Sequence, residues 1–391
     1  LNTRSSVAIV RAKRYDANEL KPLIKRNFDL IGGLDDLIKR NTKVFVKINH
    51  LSPPSPADRG IVTHPIFTEA VLDILKVTGA DITVGDDIEE DGVDGFDISG
   101  YREMCERLGI KLVNLREEGF IPTKTAGKIL PEIYLSRVAL EADVIIDLPK
   151  FKTHSLTLFT GGIKNMYGVI PAGMRRRFHG DYVRPEDFCQ MLVDIFAASK
   201  PQITFMDGIM AMEGEGPGSG RMKNLGIILA SRDTVALDAI AANIIGIKPD
   251  DVLTTVFAAE RKLGNGDLKN IDILGEKIES IEVKDFKLPA NVSRSAMKYV
   301  PRPLVKFGVN QISPRPHIKQ KKCTACRACE EVCPTEAAKV VNKCARIDYK
   351  KCIRCMCCHE VCRYDAIVSR RPFFGQSIYG IITAVRKVAG K

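Results

Sequence analysis

The chain has 391 residues, is 45% hydrophobic, and carries a formal net charge of +11. That length admits two or more domains with a large core, and the absence of any apolar run long enough to cross a bilayer argues against a transmembrane segment. The charge is uneven, with 38 Lys and Arg against 42 Asp and Glu in residues 1–290 (net −4) and 21 against 6 in residues 291–391 (net +15); no DNA- or RNA-binding motif accompanies it, which sets nucleic acid aside as a partner.

The first 290 residues alternate between two periodicities. Residues 7–12, 44–49, 82–86, 111–115, 144–149, 203–208, 226–231 and 271–275 are short apolar runs that read as strands. Between them, residues 17–40 (interrupted at Gly32-Gly33), 65–78, 99–108, 186–199, 234–245 and 250–263 carry helical spacing, the second opened by His64-Pro65. Strands alternating with helices predict an α/β domain over residues 1–290, a mostly parallel sheet flanked by helices. Residues 291–316 hold Pro301, Pro303, Pro314 and Pro316 and read as a linker. Residues 317–370 form a small cysteine-rich module. In residues 371–391, Phe374, Ile378, Ile381, Ile382 and Val385 recur at helical spacing; we expect an amphipathic helix docked on the protein, with a basic membrane-surface anchor as the alternative. The basic N-terminus lacks the apolar stretch of a secretory signal. Ten of the twelve cysteines fall between positions 323 and 362, which is cofactor usage in a reducing, cytoplasmic setting and not a disulfide scaffold.

The densest polar stretch runs from Asp147 to His179. An extended exit from the strand 144–149 would point Lys150, Lys152 and His154 the same way, followed by Gly161-Gly162, Lys164-Asn165 and Arg175-Arg176-Arg177. Other strand ends carry Lys47-Ile48-Asn49-His50, Gly85-Asp86-Asp87 and Asp207-Gly208. Ligands of parallel sheets gather at the carboxyl ends of strands. We therefore expect Lys150, Lys152 and His154 to converge near Asn49 and Asp86 on a site for a small carboxylate or phosphate. Lys47, Lys164, Asn165 and Arg176 would complete it. His154 or His179 would be the acid–base group, because imidazole titrates near neutral pH, and Asp207 or Asp86 would orient it. The opposing reading is a basic, solvated loop. Glu213–Arg221 is glycine-rich and matches neither the phosphate-binding P-loop nor the dinucleotide fingerprint; it reads either as a lid over the site or as a surface loop. His50, His64, His154 and His179 are a weaker candidate set for a mononuclear metal.

Val46-Lys47-Ile48-Asn49, Thr63-His64-Pro65, Gly85-Asp86-Asp87, Leu148–His154, Gly162–Gly168 and Asp207-Gly208-Ile209 occur in this order. Together they resemble the motif set of the domain-of-unknown-function family 362 over roughly residues 5–280. The resemblance implies an α/β domain, often fused to a ferredoxin module, and no settled reaction.

The cysteines form two runs of the pattern C-x2-C-x2-C-x3-C: Cys323, Cys326, Cys329, Cys333 and Cys352, Cys355, Cys358, Cys362, the second displaced by 29 positions. A cubic 4Fe–4S cluster takes four thiolates at tetrahedral corners, and in such paired runs the fourth Cys of each serves the other cluster. Cys323, Cys326, Cys329 and Cys362 are then one set, and Cys352, Cys355, Cys358 and Cys333 the other. Structural zinc would leave the x3 step unexplained. Residues 317–370 resemble the bacterial two-cluster ferredoxin, with Arg363 where the second motif usually carries Pro. Cys344 is a connector residue, and Cys357 is a surplus thiol, since using it as a ligand would break the register.

These features describe an iron–sulfur protein with two 4Fe–4S clusters. We expect an oxidoreductase whose clusters relay electrons to or from a small anionic substrate or cofactor in the α/β domain. The alternative is a non-catalytic electron carrier or cofactor-handling subunit that docks an acidic redox partner through the basic module. A redox-independent isomerase or transferase with clusters that only sense or stabilise is third.

Overall fold

The computed structural model describes residues 4–51, 55–88, 94–182, 184–218, 220–281, 283, 285–289, 315–362, 364 and 366–370. Its main sheet contains β1 (Ser5–Arg11), β2 (Lys43–Ile48), β3 (Asp81–Asp86) and β4 (Lys111–Asn114). After a separate hairpin of β5 (Phe120–Lys124) and β6 (Glu132–Ser136), it continues with β7 (Val144–Leu148), β8 (Lys150–His154), β9 (Leu158–Phe159), β10 (Ile203–Glu213), β11 (Arg221–Ser231) and β12 (Ile271–Gly275). The order is β12-β1-β11-β10-β7-β2-β3-β4, with β8 beside β10 and β9 beside β8. From β10 to β4 every neighbour along this path is parallel, and β1, β11 and β10 pair antiparallel. The helices between are α1 (Ala17–Leu30), α2 (Pro65–Val77), α3 (Gly95–Ser99), α4 (Tyr101–Leu108), α5 (Leu115–Glu118), α6 (Arg137–Glu141), α7 (Gly161–Asn165), α8 (Ala172–Asp181), α9 (Pro185–Ala198), α10 (Thr234–Ile244) and α11 (Leu253–Glu260).

Side-chain alternation sorts the strands onto two helix layers. Val44, Val46 and Ile48 of β2 pack with α1, α2 and α4, while Phe45 faces α9 across the sheet. Lys47 belongs to the second face and is fully buried there, so the alternation that builds the core also sends a cation inward. Start signals act as the sequence implies: Asp16 accepts from Asn18 N and Glu19 N, and the His64 ring accepts from Ile66 N with Pro65 in the first turn. The expected helix over residues 17–40 ends at Leu30, because Gly32 and Gly33 take φ of 95° and 76°. β10 and β11 run to 11 residues each, longer than expected. The chain leaves β2 toward β3 and β4 and then returns with β7 on the other side of β2, so the sheet has a topological switch point between the carboxyl ends of β2 and β7.

The cysteine-rich module repeats in three dimensions. β13 (Arg315–Ile318), the short helix Ala328–Glu331 and β14 (Ala338–Val341) recur 29 positions later as β15 (Cys344–Ile347), the helix Cys357–Glu360 and β16 (Ile367–Arg370). Ala325 and Arg327 sit at positive φ (58° and 67°), as do Arg354 and Met356 (61° and 67°) at the same offset. β13 pairs with β16 and β14 with β15. Arg315 and Pro316, expected in the linker, belong to β13. Residues 291–314, Arg363 and the expected helix over 371–391 lie outside the described residues. Among the described residues no helix is long and apolar enough to cross a membrane.

Candidate functional site

The switch point holds a pocket of about 130 Å³. Parallel pairing sets Lys47 of β2 beside Gly85 of β3 and Asp147 of β7. The Lys47 Nζ lies 2.9 Å from Asp86 Oδ2, both groups buried, and donates to the Ile48 carbonyl at 2.7 Å. Asp86 also accepts from His50 N and Asp87 N, each at 2.8 Å. Burial raises the Asp86 carboxyl above its ordinary range, against the pull of Lys47 and Arg175. Gly168 closes over the pair: a Cβ there would lie 2.7 Å from Lys47 Nζ, so only glycine fits. Arg175 and Arg116 flank Asp87 at 2.8 and 2.9 Å.

Around this floor stand Lys152, Lys164, Arg175 and Arg176, with Asn165, Tyr167 and His179. Lys152 is 1% exposed and donates to the Ile61 carbonyl at 2.8 Å; the Lys164 ammonium lies 5.9 Å from the Tyr167 ring centre. His179 packs edge-on to Tyr167 and tilted on Phe188. His50, whose Nε2 sits 3.0 Å from Ser99 Oγ, is pushed down to about 4 chiefly by burial. Among the described residues, five cations against the single lining carboxylate Asp86 make the cavity electropositive. Two further atoms in the wall point to a ligand: among the described residues, Asn49 Oδ1 and Thr160 Oγ1 are buried without a hydrogen-bond partner, a costly arrangement that a polar guest relieves.

The remaining wall comes from the cysteine-rich module: Val332, Cys357 and Val361. Pro217, from the turn joining β10 and β11, adds to the rim. The described part of that turn is tied down, with Ser155 N donating to the Gly216 carbonyl at 3.0 Å and Thr153 Oγ1 to the Gly214 carbonyl at 2.8 Å. It is packed structure, neither a loose lid nor a plain surface loop.

The structure therefore gathers Lys47, Asn49, Asp86, Lys152, Lys164, Asn165, Arg176 and His179 in one pocket and leaves Lys150, His154 and Asp207 outside it. The expected convergence of Lys150, Lys152 and His154 does not occur, because β8 is irregular: Lys150 pairs with Asp207 but Lys152 with Met212, a register shift along β10. Lys150 Nζ lies 2.7 Å from Asp207 Oδ2, and Tyr15 OH takes a bond from Lys150 (2.6 Å) and gives one to Asp207 (2.7 Å). The His64 ring stacks on Tyr15 at 3.8 Å, and burial pushes it down to about 4. His154 accepts at Nδ1 from Leu156 N and Thr157 N and ties its own turn. Among the described residues no group of three or more His, Cys, Asp or Glu forms a single-ion site, so the four histidines do not assemble one. Behind the pocket, Asp147 accepts from Asn165 Nδ2 at 2.6 Å while its other oxygen has no partner, and burial holds its carboxyl well above the ordinary range.

The cysteines are grouped as cluster ligands would be. Cys323, Cys326, Cys329 and Cys362 line one cavity with the apolar residues Val340, Ala345 and Ile367. Burial, then Cys326, Cys323 and Cys362, push the Cys329 thiol up to about 11. Burial, then chiefly Cys355 and Cys352, push the Cys358 thiol well up, with Cys333 also contributing. Ala345 N donates to Cys323 Sγ at 3.3 Å, and Ala337 N to Cys333 Sγ and Ala366 N to Cys362 Sγ at 3.2 Å each. Crowded thiols, Cys329 and Cys358 buried and Cys323, Cys333 and Cys362 half-buried with backbone donors aimed at sulfur, suit thiolates on a cluster.

A family model described as "Domain of unknown function (DUF362)" matches residues 44–243, and one described as "4Fe-4S binding domain" matches residues 316–339. A thylakoid-associated protein of Synechocystis sp. is 31% identical over 261 residues, which is 66% of this chain and 79% of that protein. Among solved structures, the lactate racemase apoprotein from Thermoanaerobacterium thermosaccharolyticum aligns over 60% of this chain and 55% of its own with a TM-score of 0.39 and 12% identity, a likeness too slight to bear on fold or function.

Proposed function

The chain belongs to the DUF362 family and is an iron–sulfur protein with a 4Fe-4S binding domain, and from that premise we propose that it is an oxidoreductase acting on a small anion bound at the switch point. One observation carries the reading: the cationic pocket of the α/β domain takes the rest of its wall from the cysteine-rich module, through Val332, Cys357 and Val361. Lys152, Lys164 and Arg176 would neutralise the anion, Lys47 held by Asp86 would fix the floor, and Asn49 Oδ1 would accept from a donor on the same ligand. His179 would hold or release a proton beside it. Both cysteine runs would carry a 4Fe–4S cluster, Cys323, Cys326, Cys329 and Cys362 holding one and Cys352, Cys355, Cys358 and Cys333 the other; the recurrence of the strands, the short helices and two pairs of positive-φ residues at 29 positions supports the second. Bound there, the clusters would supply single electrons to or from the pocket. Thiol ligands of this kind suit a reducing compartment, which favours the cytoplasm.

The test is anaerobic. The protein should contain about eight iron and eight sulfide per chain. When reduced and mixed with a small-molecule extract, it should be reoxidised by one anion, identified by mass spectrometry. The carrier reading is favoured by exposed Lys321, Lys322 and Arg327 around exposed Cys326, a face suited to an acidic redox protein. Reduced protein inert to every small anion, yet exchanging electrons with such a carrier at a rate that falls steeply with salt, would replace the enzyme reading by that one.

A further inference from the structure

Resting on that reading, we propose that the two cysteine sets are not equivalent: Cys352, Cys355, Cys358 and Cys333 form the set facing the anion pocket, and Cys323, Cys326, Cys329 and Cys362 form the outward set. Three contacts place the first of these. Cys357, 4% exposed, lies in the pocket wall between Cys355 and Cys358. Val332, also in the wall, immediately precedes Cys333. Pro334, immediately after Cys333, packs on Gly180, where an added Cβ would come within 3.2 Å of it. Gly180 belongs to α8, the helix that carries Arg175, Arg176 and His179 into the pocket.

Among the described residues, the other set touches the pocket only through Val361, the neighbour of Cys362. Its loop from Thr324 to Arg327 lines no part of the pocket, and Cys326 is exposed to solvent. The repeat provides an internal control. The counterpart of Cys357 is Ala328, which borders the cavity of its own cysteine set and not the pocket. The surplus thiol thus occupies the one copy of this position that meets the anion site. Buried Asn49 Oδ1 and Thr160 Oγ1, without partners among the described residues, point independently to a ligand in the same wall.

The probe is inorganic phosphate and the protein is the full chain with its clusters. In frozen, reduced samples, phosphorus-31 hyperfine coupling should persist in Cys326→Ser and vanish in Cys355→Ser, with iron assays confirming which set each change empties. The reverse pattern overturns the assignment. A second measurement needs no ligand variant: phosphate at ten times its dissociation constant should slow alkylation of Cys357 by about tenfold and leave Cys344 unaffected, read by mass spectrometry. Equal rates with and without phosphate overturn the placement of Cys357. Calorimetry keeps this separate from the parent reading. If wild type binds phosphate and Lys152→Ala binds it at least about tenfold more weakly, the pocket stands whatever the coupling shows; if wild type does not bind, both readings fall.

Discussion

Lys150 and Lys152 are two residues apart on one strand, both buried, and the structure gives them opposite jobs. Lys150 Nζ is held at 2.7 Å from Asp207, with both side chains fully buried, whereas Lys152 lines the switch-point pocket proposed to take an anion. Lys150→Met leaves the Asp207 carboxylate buried without its cation. Breaking such a pair costs about 3–5 kcal/mol; Asp207 keeps bonds from Tyr15 OH, His64 N and Ile209 N, which favours the lower end. Anion affinity should not change. Lys152→Ala removes a charged hydrogen bond to the ligand, worth about 1.5–3 kcal/mol, and should weaken phosphate binding by roughly one to two orders of magnitude. Stability should suffer less, because the Lys152 ammonium donates to the Ile61 carbonyl, whereas Lys150 neutralises a fully buried carboxylate. Urea unfolding and calorimetric titration of both variants make the comparison. Lys150→Met losing phosphate affinity as Lys152→Ala does, with unfolding unchanged, would refute the separation.

Three further outcomes follow from particular residues. The His50 imidazole is held down to about 4 by burial, so between pH ~6.5 and ~4 the unfolded chain binds a proton that the folded chain does not. His50→Gln should therefore flatten the acid limb of stability by roughly 3 kcal/mol across that window, and an unchanged limb would mean the ring is not buried neutral. Asp147 is the opposite case: burial raises its carboxyl, so the folded chain holds a proton that the unfolded chain has released above its ordinary pKa, and stability falls as pH rises until the folded group itself ionises. Asp147→Asn, which leaves the acceptor for Asn165, should become more stabilising relative to wild type from pH 5 to pH 9 in thermal unfolding, and a constant difference would contradict the shift. In iron assays of anaerobic protein, Cys358→Ser should lose about half the iron and Cys357→Ser none; equal loss would move the ligand assignment.

Much of this was legible in the sequence because it depends on local pattern. The eight cysteines and their 29-residue offset foretold a repeated module, and its strands, helices and positive-φ residues repeat at that spacing. Strand ends at Lys47, Asp86 and Asp207 were readable from apolar runs, and the rule that ligands gather at carboxyl strand ends pointed to this end of the sheet; Lys47 and Asp86 line the pocket, and Asp207 does not. What stayed hidden is tertiary. Lys150, Lys152 and His154 alternate in sequence, but the shift in β8 pairing sends them to three environments. The hairpin of β5 and β6 is partly exposed and gives a weak alternating signal. Cys357 was visible as surplus to the cluster pattern, but its place in the wall depends on how the module docks against α8, which no local pattern encodes.

The central claim is that the anion pocket and the cluster module form one electrostatic unit, and the measurement that tests it most directly is the phosphate dissociation constant in oxidised and in reduced protein. Reduction adds one negative charge to a cluster. Cys357 of the wall and Cys358 of the proposed ligand set are successive residues, so a cluster held by Cys358 would place the charge roughly 10 Å from a bound anion. At an effective dielectric of about 20 the repulsion is about 1.7 kcal/mol, which predicts phosphate binding weaker by more than about tenfold in the reduced state. By reciprocity, phosphate should lower the cluster's midpoint potential by the matching amount. Equal dissociation constants in the two states, in protein with its full iron content, would contradict the account.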